Sequence, residues 1–214
     1  MYHGFAMRKL ILFTLGAVVL AADKPEKGFT ALFNGKDLDG WTKAQENEGT
    51  FTFKDGAIVA NGPRCHIYYT GPFHNHDFKD FELKVDVMTK ANSNGGIYFH
   101  TQYQEKSWPD KGFEVQVNNS YEKDPRKTAS LYMVQDNMDK VAGDDKWFTE
   151  HIIVKGNHVQ VFVDGKKVTD WTQPDGYTGP KNTPGRVLSH GTFALQGHDP
   201  GSTVYYKNIR VKPL

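Results

Sequence analysis

The sequence predicts an all-β sandwich built as one domain. Three observations predict it. Phe81-Glu82-Leu83-Lys84-Val85-Asp86-Val87 alternates apolar and charged residues with a period of two, as a half-buried antiparallel strand does. Gly156-Asn157 and Asp164-Gly165 interrupt an apolar stretch at hairpin spacing, where tight turns need positive φ. No segment after residue 23 sustains a helical period.

The elements follow in order. Lys54-Asp55-Gly56-Ala57 marks an early turn, and residues 81–87 form the alternating strand. Residues 96–102 and 112–117 alternate in the same way, and residues 152–168 form a three-strand meander around the two turns. Residues 192–198 and 205–211 supply the last strands. Residues 118–127 are polar and residues 173–185 are rich in Pro and Gly. Both are surface loops, the second overhanging a site. Many short strands at close spacing imply two packed sheets.

The start of the chain is read apart from the fold. Arg8-Lys9 precedes the apolar run of residues 10–20, and Ala21-Ala22-Asp23 follows. That is a signal peptide over residues 1–22, with Met7 as an alternative start. The expected domain is residues 23–214, exported to the periplasm or beyond. The apolar run is too short to span a membrane, and no Cys follows it to carry a lipid there. Cys65 is the single cysteine, so no internal disulfide can form and the core must hold the fold. Cys65 itself is expected as a small buried apolar residue. Lys plus Arg is 26 against 25 for Asp plus Glu, which leaves no basic field for nucleic acid.

Strand alternation sorts the polar residues. Phe113, Val115 and Val117 face the core, so Glu114 and Gln116 share the other face. By the same rule Tyr98, His100 and Gln102 lie opposite Ile97 and Phe99, and Gln196 and His198 lie opposite Phe193 and Leu195. Three strands thus offer Glu, Gln, His and Tyr on one surface. Side chains that both donate and accept hydrogen bonds are what hydroxyl recognition uses. Each of these residues also has an ordinary surface explanation, and convergence is what raises the functional one. His74-Asn75-His76 has a metal-capable spacing without a third ligand nearby. Arg126 and Lys127 sit beside a turn and can reach a substrate. Trp41, Trp147 and Trp171 can stack on a sugar or pack in the core.

Several motifs together resemble the 3-keto-disaccharide hydrolase family, also described as 3-keto-glucoside lyases and hydratases. They are Leu32 through Trp41, Asn94-Gly95-Gly96-Ile97-Tyr98-Phe99, Gly112-Phe113-Glu114-Val115-Gln116-Val117, Lys127-Thr128-Ala129-Ser130-Leu131-Tyr132, Trp147 through Gly156, Leu195-Gln196-Gly197-His198-Asp199, and Lys207-Asn208-Ile209-Arg210-Val211. Each is weak alone; in order they cover nearly all of residues 28–214. The resemblance implies a concanavalin A-like jelly roll of two curved antiparallel sheets, with the ligand on the concave face. Many members carry Asn-Ser-Gly and an Arg where this chain has Asn94-Gly95-Gly96 and His100.

The chemistry implied is cleavage of a 3-keto-glycoside. A ketone at the third carbon acidifies the proton on the second, and its removal expels the group on the anomeric carbon. Such a reaction needs a base and an electrophile for the enediolate. His198 is assigned as the base, with His100 or a bound divalent cation as electrophile and Glu114 orienting the base or ligating metal. Gln116, Gln196, Tyr132, Tyr98 and Lys127 are assigned to substrate binding. No particular metal is assigned, and no nucleotide cofactor is expected, since no phosphate-binding Gly loop occurs. Ordinary glycoside hydrolysis needs two carboxylates; the strand offers only Glu114, with Asp199 at a strand end. Two other readings stand beside this one: a sugar-binding module without catalysis, and a glycosidase acting on unmodified glycans.

Overall fold

A computed structural model describes Met1 and residues 26–214, so the expected signal segment lies outside the described residues. Thirteen strands run in chain order: β1 Thr30–Ala31, β2 Trp41–Lys43, β3 Phe51–Lys54, β4 Ala57–Asn61, β5 Cys65–Tyr69, β6 Phe81–Thr89, β7 Asn94–Thr101, β8 Phe113–Asn118, β9 Phe148–Lys155, β10 His158–Val163, β11 Lys166–Thr172, β12 Thr192–Gly197 and β13 Thr203–Pro213. They form two antiparallel sheets. The larger has the order β11-β10-β9-β6-β13-β4-β3, with β1 also paired to β13; the smaller has the order β2-β5-β12-β7-β8. No helix among the described residues is long and apolar enough to cross a membrane.

The predicted alternation of β6 is exact in burial: Phe81, Leu83, Val85 and Val87 are buried, and Glu82, Lys84 and Asp86 are half-buried. The meander forms as β9-β10-β11. Its two turns differ: Gly156 alone takes positive φ in the first, whereas Asp164 and Gly165 both do in the second. Asp55 and Gly56 make the same double-positive turn between β3 and β4. Between the sheets lie Phe99, Phe113, Phe193, Ile97, Leu195 and Val161 among others. Each such side chain contributes roughly 1.5–3 kcal/mol when fully buried. Cys65 is buried in this core, and burial pushes its thiol up to about 11.

The edge of β8 is not open. Residues 128–132 run beside it, with Ala129 N donating to Gln116 O, Gln116 N to Ser130 O, and Tyr132 N to Glu114 O. This covers a strand edge that would otherwise present unpaired backbone groups. It also sets Tyr132 next to Glu114.

Candidate active site

The five-stranded sheet places its outward side chains in rows. His66 on β5, Gln196 on β12, Gly96 on β7 and Gln116 on β8 are mutual neighbours across the strands. The next row is Tyr68, Ala194, Tyr98 and Glu114. The two central strands thus carry small residues, Ala194 and Gly96, at staggered positions. A cavity of about 520 Å³ opens over this part of the sheet. A side chain at Gly96 would press on Glu114, since a Cβ there lies 3.0 Å from Glu114 Oε1.

Six of the predicted residues meet round this cavity: Tyr98, Glu114, Gln116, Tyr132, Gln196 and His198. Loop residues Trp108, Asp124, Asn182, Thr183 and Arg186 complete its walls. The Pro- and Gly-rich loop therefore reaches the site, as its composition suggested.

Glu114 is the hub, and four donors converge on it. Tyr98 OH donates to Oε2 at 2.8 Å and Arg186 Nη2 to Oε2 at 3.3 Å. Gln196 Nε2 donates to Oε1 at 3.0 Å, and the Gln116 amide, oriented by the Gly95 carbonyl, donates to Oε1 at 3.1 Å. Only an acceptor-only carboxylate satisfies all four. Burial and the Glu114 charge push the Tyr98 phenol well above its ordinary value, so it stays a donor. Glu114 therefore does not orient His198, and as arranged it offers no free lone pair to a cation, with Arg186 already beside it. No group of three candidate metal ligands occurs among the described residues.

The group that orients His198 is its neighbour. His198 Nδ1 donates to Asp199 Oδ2 at 2.8 Å, which leaves Nε2 as the ring nitrogen without a protein partner. Asp199 is itself held by Ser202 Oγ at 2.8 Å and Gly201 N at 2.9 Å. Burial pushes the Asp199 carboxyl up, but the hydrogen bonds from His198, Ser202 and Gly201 outweigh it and hold the group below its ordinary value. Trp108 and Tyr121 rings pack on the imidazole at 5.5 and 5.6 Å.

The walls also carry unsatisfied groups. Asn94 Oδ1, Gln196 Oε1 and Thr183 Oγ1 are buried without a protein partner, and all three residues line the cavity. Buried polar atoms are ordinarily paired, so such a cluster marks where a ligand's hydrogen-bonding groups belong.

Two predicted site residues lie elsewhere. His100 has φ +55, and the pairing of β7 with β12 shifts register beside it. This bulge turns its ring away from Tyr98, against Phe81 and Phe99. There Nε2 donates to Lys79 O at 2.8 Å and Nδ1 accepts from Ser189 N at 3.2 Å. Burial lowers its pKa to about 4. Two glycines let the neighbouring chain close on the bulge, since a Cβ on Gly112 would sit 2.2 Å from Phe99 O and one on Gly191 2.2 Å from Thr101 O. Lys127 is spent on its own loop, with Nζ donating to Tyr121 O at 3.0 Å and Asp124 O at 3.4 Å. It does not line the cavity.

The tryptophans weighed from the sequence all pack away from the cavity. Trp41 is buried with its Nε1 on Leu32 O, Trp171 packs on Phe113, and Trp147 carries the Lys207 ammonium over its face. Sequence reasoning missed Arg186, Trp108 and His66. Arg186 follows directly on the Pro- and Gly-rich stretch, and a lone cation emerging from such a loop was the available signal. It is 8% exposed, donates to Tyr132 O at 2.6 Å and lies over the Tyr132 ring. His66 lies beneath Trp108, fully buried, with neither ring nitrogen partnered.

Residues 28–212 match the 3-keto-alpha-glucoside-1,2-lyase-like domain family. The chain belongs to this family. A 3-keto-disaccharide hydrolase of Bacteroides thetaiotaomicron is 25% identical to it, over 87% of this chain and 79% of that protein. A crystal structure from Parabacteroides distasonis, provisionally described as a glycosyl hydrolase, aligns with TM-score 0.72 and 26% identity over 87% of this chain and 94% of that one. A Bacillus subtilis protein with a galectin-like fold aligns with TM-score 0.61 over 86% of this chain and 94% of that one. At 13% identity it speaks to the fold alone. The jelly-roll architecture expected from the sequence is thus the one observed.

Proposed function

We propose that this protein cleaves the glycosidic bond of 3-keto-glycosides by β-elimination followed by hydration. One observation carries the reading: the cavity pairs a single free imidazole nitrogen, His198 Nε2, with a carboxylate at Glu114 that is already saturated by donors. Two-carboxylate hydrolysis requires an acid and a base on opposite sides of the scissile bond. The other lining carboxylates do not make that pair. Asp124 is engaged by Tyr132 OH and Arg126, and Asp110 stands exposed at the rim.

In the proposed reaction His198 Nε2 takes the proton from the second carbon of the oxidised sugar. Charge develops on the ketone oxygen, and Arg186, in the cavity wall, is the proposed cation that stabilises it. The bond from the anomeric carbon to the leaving oxygen breaks, and that oxygen departs as an alcohol by taking up the proton that His198 removed. Water adds across the resulting double bond, so the net change is hydrolysis. Glu114 acts by holding Arg186, Tyr98 and both glutamines in register, and the unpaired atoms of Asn94 and Gln196 take sugar hydroxyls. Export is proposed as well, from the basic and apolar sequence of residues 8–22.

The test is turnover of a 3-keto-glucoside. His198→Ala should lower the rate by a factor on the order of 10²–10⁴ with the melting temperature unchanged. Undiminished turnover would overturn the assignment. Release of free sugar from an unoxidised disaccharide by the wild-type protein would instead favour a glycosidase.

A further inference from the structure

A second cavity, of about 530 Å³, lies where β5 and β7 end and β12 begins. It is walled off from the first. Asp110, Pro184 and Arg186 line the first cavity, whereas Lys111, Gly185 and Val187 line the second. The two loop segments meet at Gly112 N, which donates to Gly185 O at 3.1 Å. Their contact is so close that a Cβ on Gly185 would lie 1.8 Å from Asp110 O. A ligand in one cavity therefore does not simply extend into the other.

The wall of this cavity interleaves donors and acceptors. His76 Nδ1 lies 3.2 Å from Gly71 O, and His190 Nδ1 lies 2.7 Å from Asp77 Oδ1. Both partners only accept, so each Nδ1 donates, and neither Nε2 has a protein partner. Lys111 Nζ donates to Gln102 Oε1 at 3.2 Å and keeps further N–H groups free. Thr101 Oγ1 is buried, on a residue 2% exposed, with no protein partner. Tyr103 stands at the rim, more than a third exposed.

These groups select a ligand class. An anion needs donors throughout and would meet the Asp77 carboxylate in the wall. A cation needs a third ligand, and no group of three occurs among the described residues. Hydroxyls satisfy donors and acceptors alike, and a sugar also offers an apolar face to a tyrosine. We propose that this cavity is a second, non-catalytic binding site for an unoxidised neutral saccharide. The proposal is independent of the chemistry assigned to the first cavity.

The test is titration of ¹⁵N-labelled protein with maltose, cellobiose and trehalose, with inorganic phosphate as the anionic control. At least one disaccharide should shift Gln102, Lys111 and residues 189–191 saturably, with a Kd on the order of millimolar. The exposed-site variants Gln102→Ala and Lys111→Ala should weaken that binding at least tenfold. Cleavage of a soluble 3-keto-glucoside and the melting temperature should stay unchanged in both. His198→Ala should bind the disaccharide as the wild type does. No saturable shift at these residues, a response to phosphate alone, or loss of cleavage in Gln102→Ala would each overturn the proposal.

Discussion

The outward faces of the two sheets obey the same alternation and have opposite chemistry. On the large sheet Glu82, Lys84, Asp86, His151, Arg210 and Lys212 form a lattice of ion pairs, among them Lys84–Glu26 at 2.7 Å, Lys212–Glu82 at 2.8 Å and Arg210–Asp86 at 3.5 Å. Those side chains remain partly in water. On the small sheet the corresponding positions hold Tyr98, Glu114, Gln116 and Gln196, all nearly buried, with one ion pair, Glu114–Arg186. The difference lies in what covers each face. Loops from residues 103–111, 119–139 and 182–190 roof the small sheet, whereas the large one is crossed only near Lys84 and Arg210, by Glu26 and Phe29 of the N-terminal segment. A face meant for water tolerates loosely paired charges, whereas a roofed face must satisfy each group or leave it for a ligand.

Substitutions can break this contrast. The largest expected effect is at Glu114. Replacing it by Ala strands the Arg186 guanidinium and frees three further donors, at a cost of about 3–5 kcal/mol. Urea unfolding measures this, and a loss below about 1 kcal/mol would mean the hub is dispensable.

Acid should act next, through the roofed sheet rather than the open one. Burial, with Arg64 and His198 nearby, lowers His66 from 6.5 to about 3, and burial lowers His100 to about 4. The unfolded chain binds these protons below 6.5 and the folded chain does not, so stability is present above 6.5 and lost as pH falls toward 4 and 3. Each histidine contributes a slope of up to roughly 1.4 kcal/mol per pH unit. Glu150 acts in the opposite sense. It is buried inside the sandwich without a partner, and burial pushes its carboxyl well above 4.5. Its share of stability is complete below 4.5 and falls as pH rises toward the raised value. The two slopes oppose each other between pH 4.5 and 6.5. Unfolding across that range should tilt downward toward high pH in His66→Gln and upward in Glu150→Gln, relative to the wild type. Parallel curves for all three proteins would sink the account.

The smallest effect is expected on the open face. Lys84→Ala removes the pair with Glu26 and the contact of the ammonium with the Phe29 ring, and should cost about 1 kcal/mol, less in high salt.

Much of the site was legible because a strand has a strict period. Knowing that Phe113, Val115 and Val117 point inward was enough to send Glu114 and Gln116 outward, and the same rule placed Tyr98, Gln196 and His198. His100 escaped because a bulge resets the period, and the signal was indirect: Gly112 and Gly191, distant in the chain, leave room for it. Lys127 escaped because its loop consumes its own ammonium, a fact of loop geometry that no period encodes. Arg186 and Trp108 lie in loops, where sequence carries no facing rule at all.

By itself the sequence determined the two sheets, the inward and outward sets of each strand, and the family. Those depend on local periodicity and on motifs read in order, which need no distant partner. Only the tertiary structure decided that Glu114 is a saturated hub, that Asp199 rather than Glu114 holds His198, and that a backbone wall at Gly185 divides two cavities. Each of these depends on which atoms meet across loops and sheets, and on water being excluded where they meet.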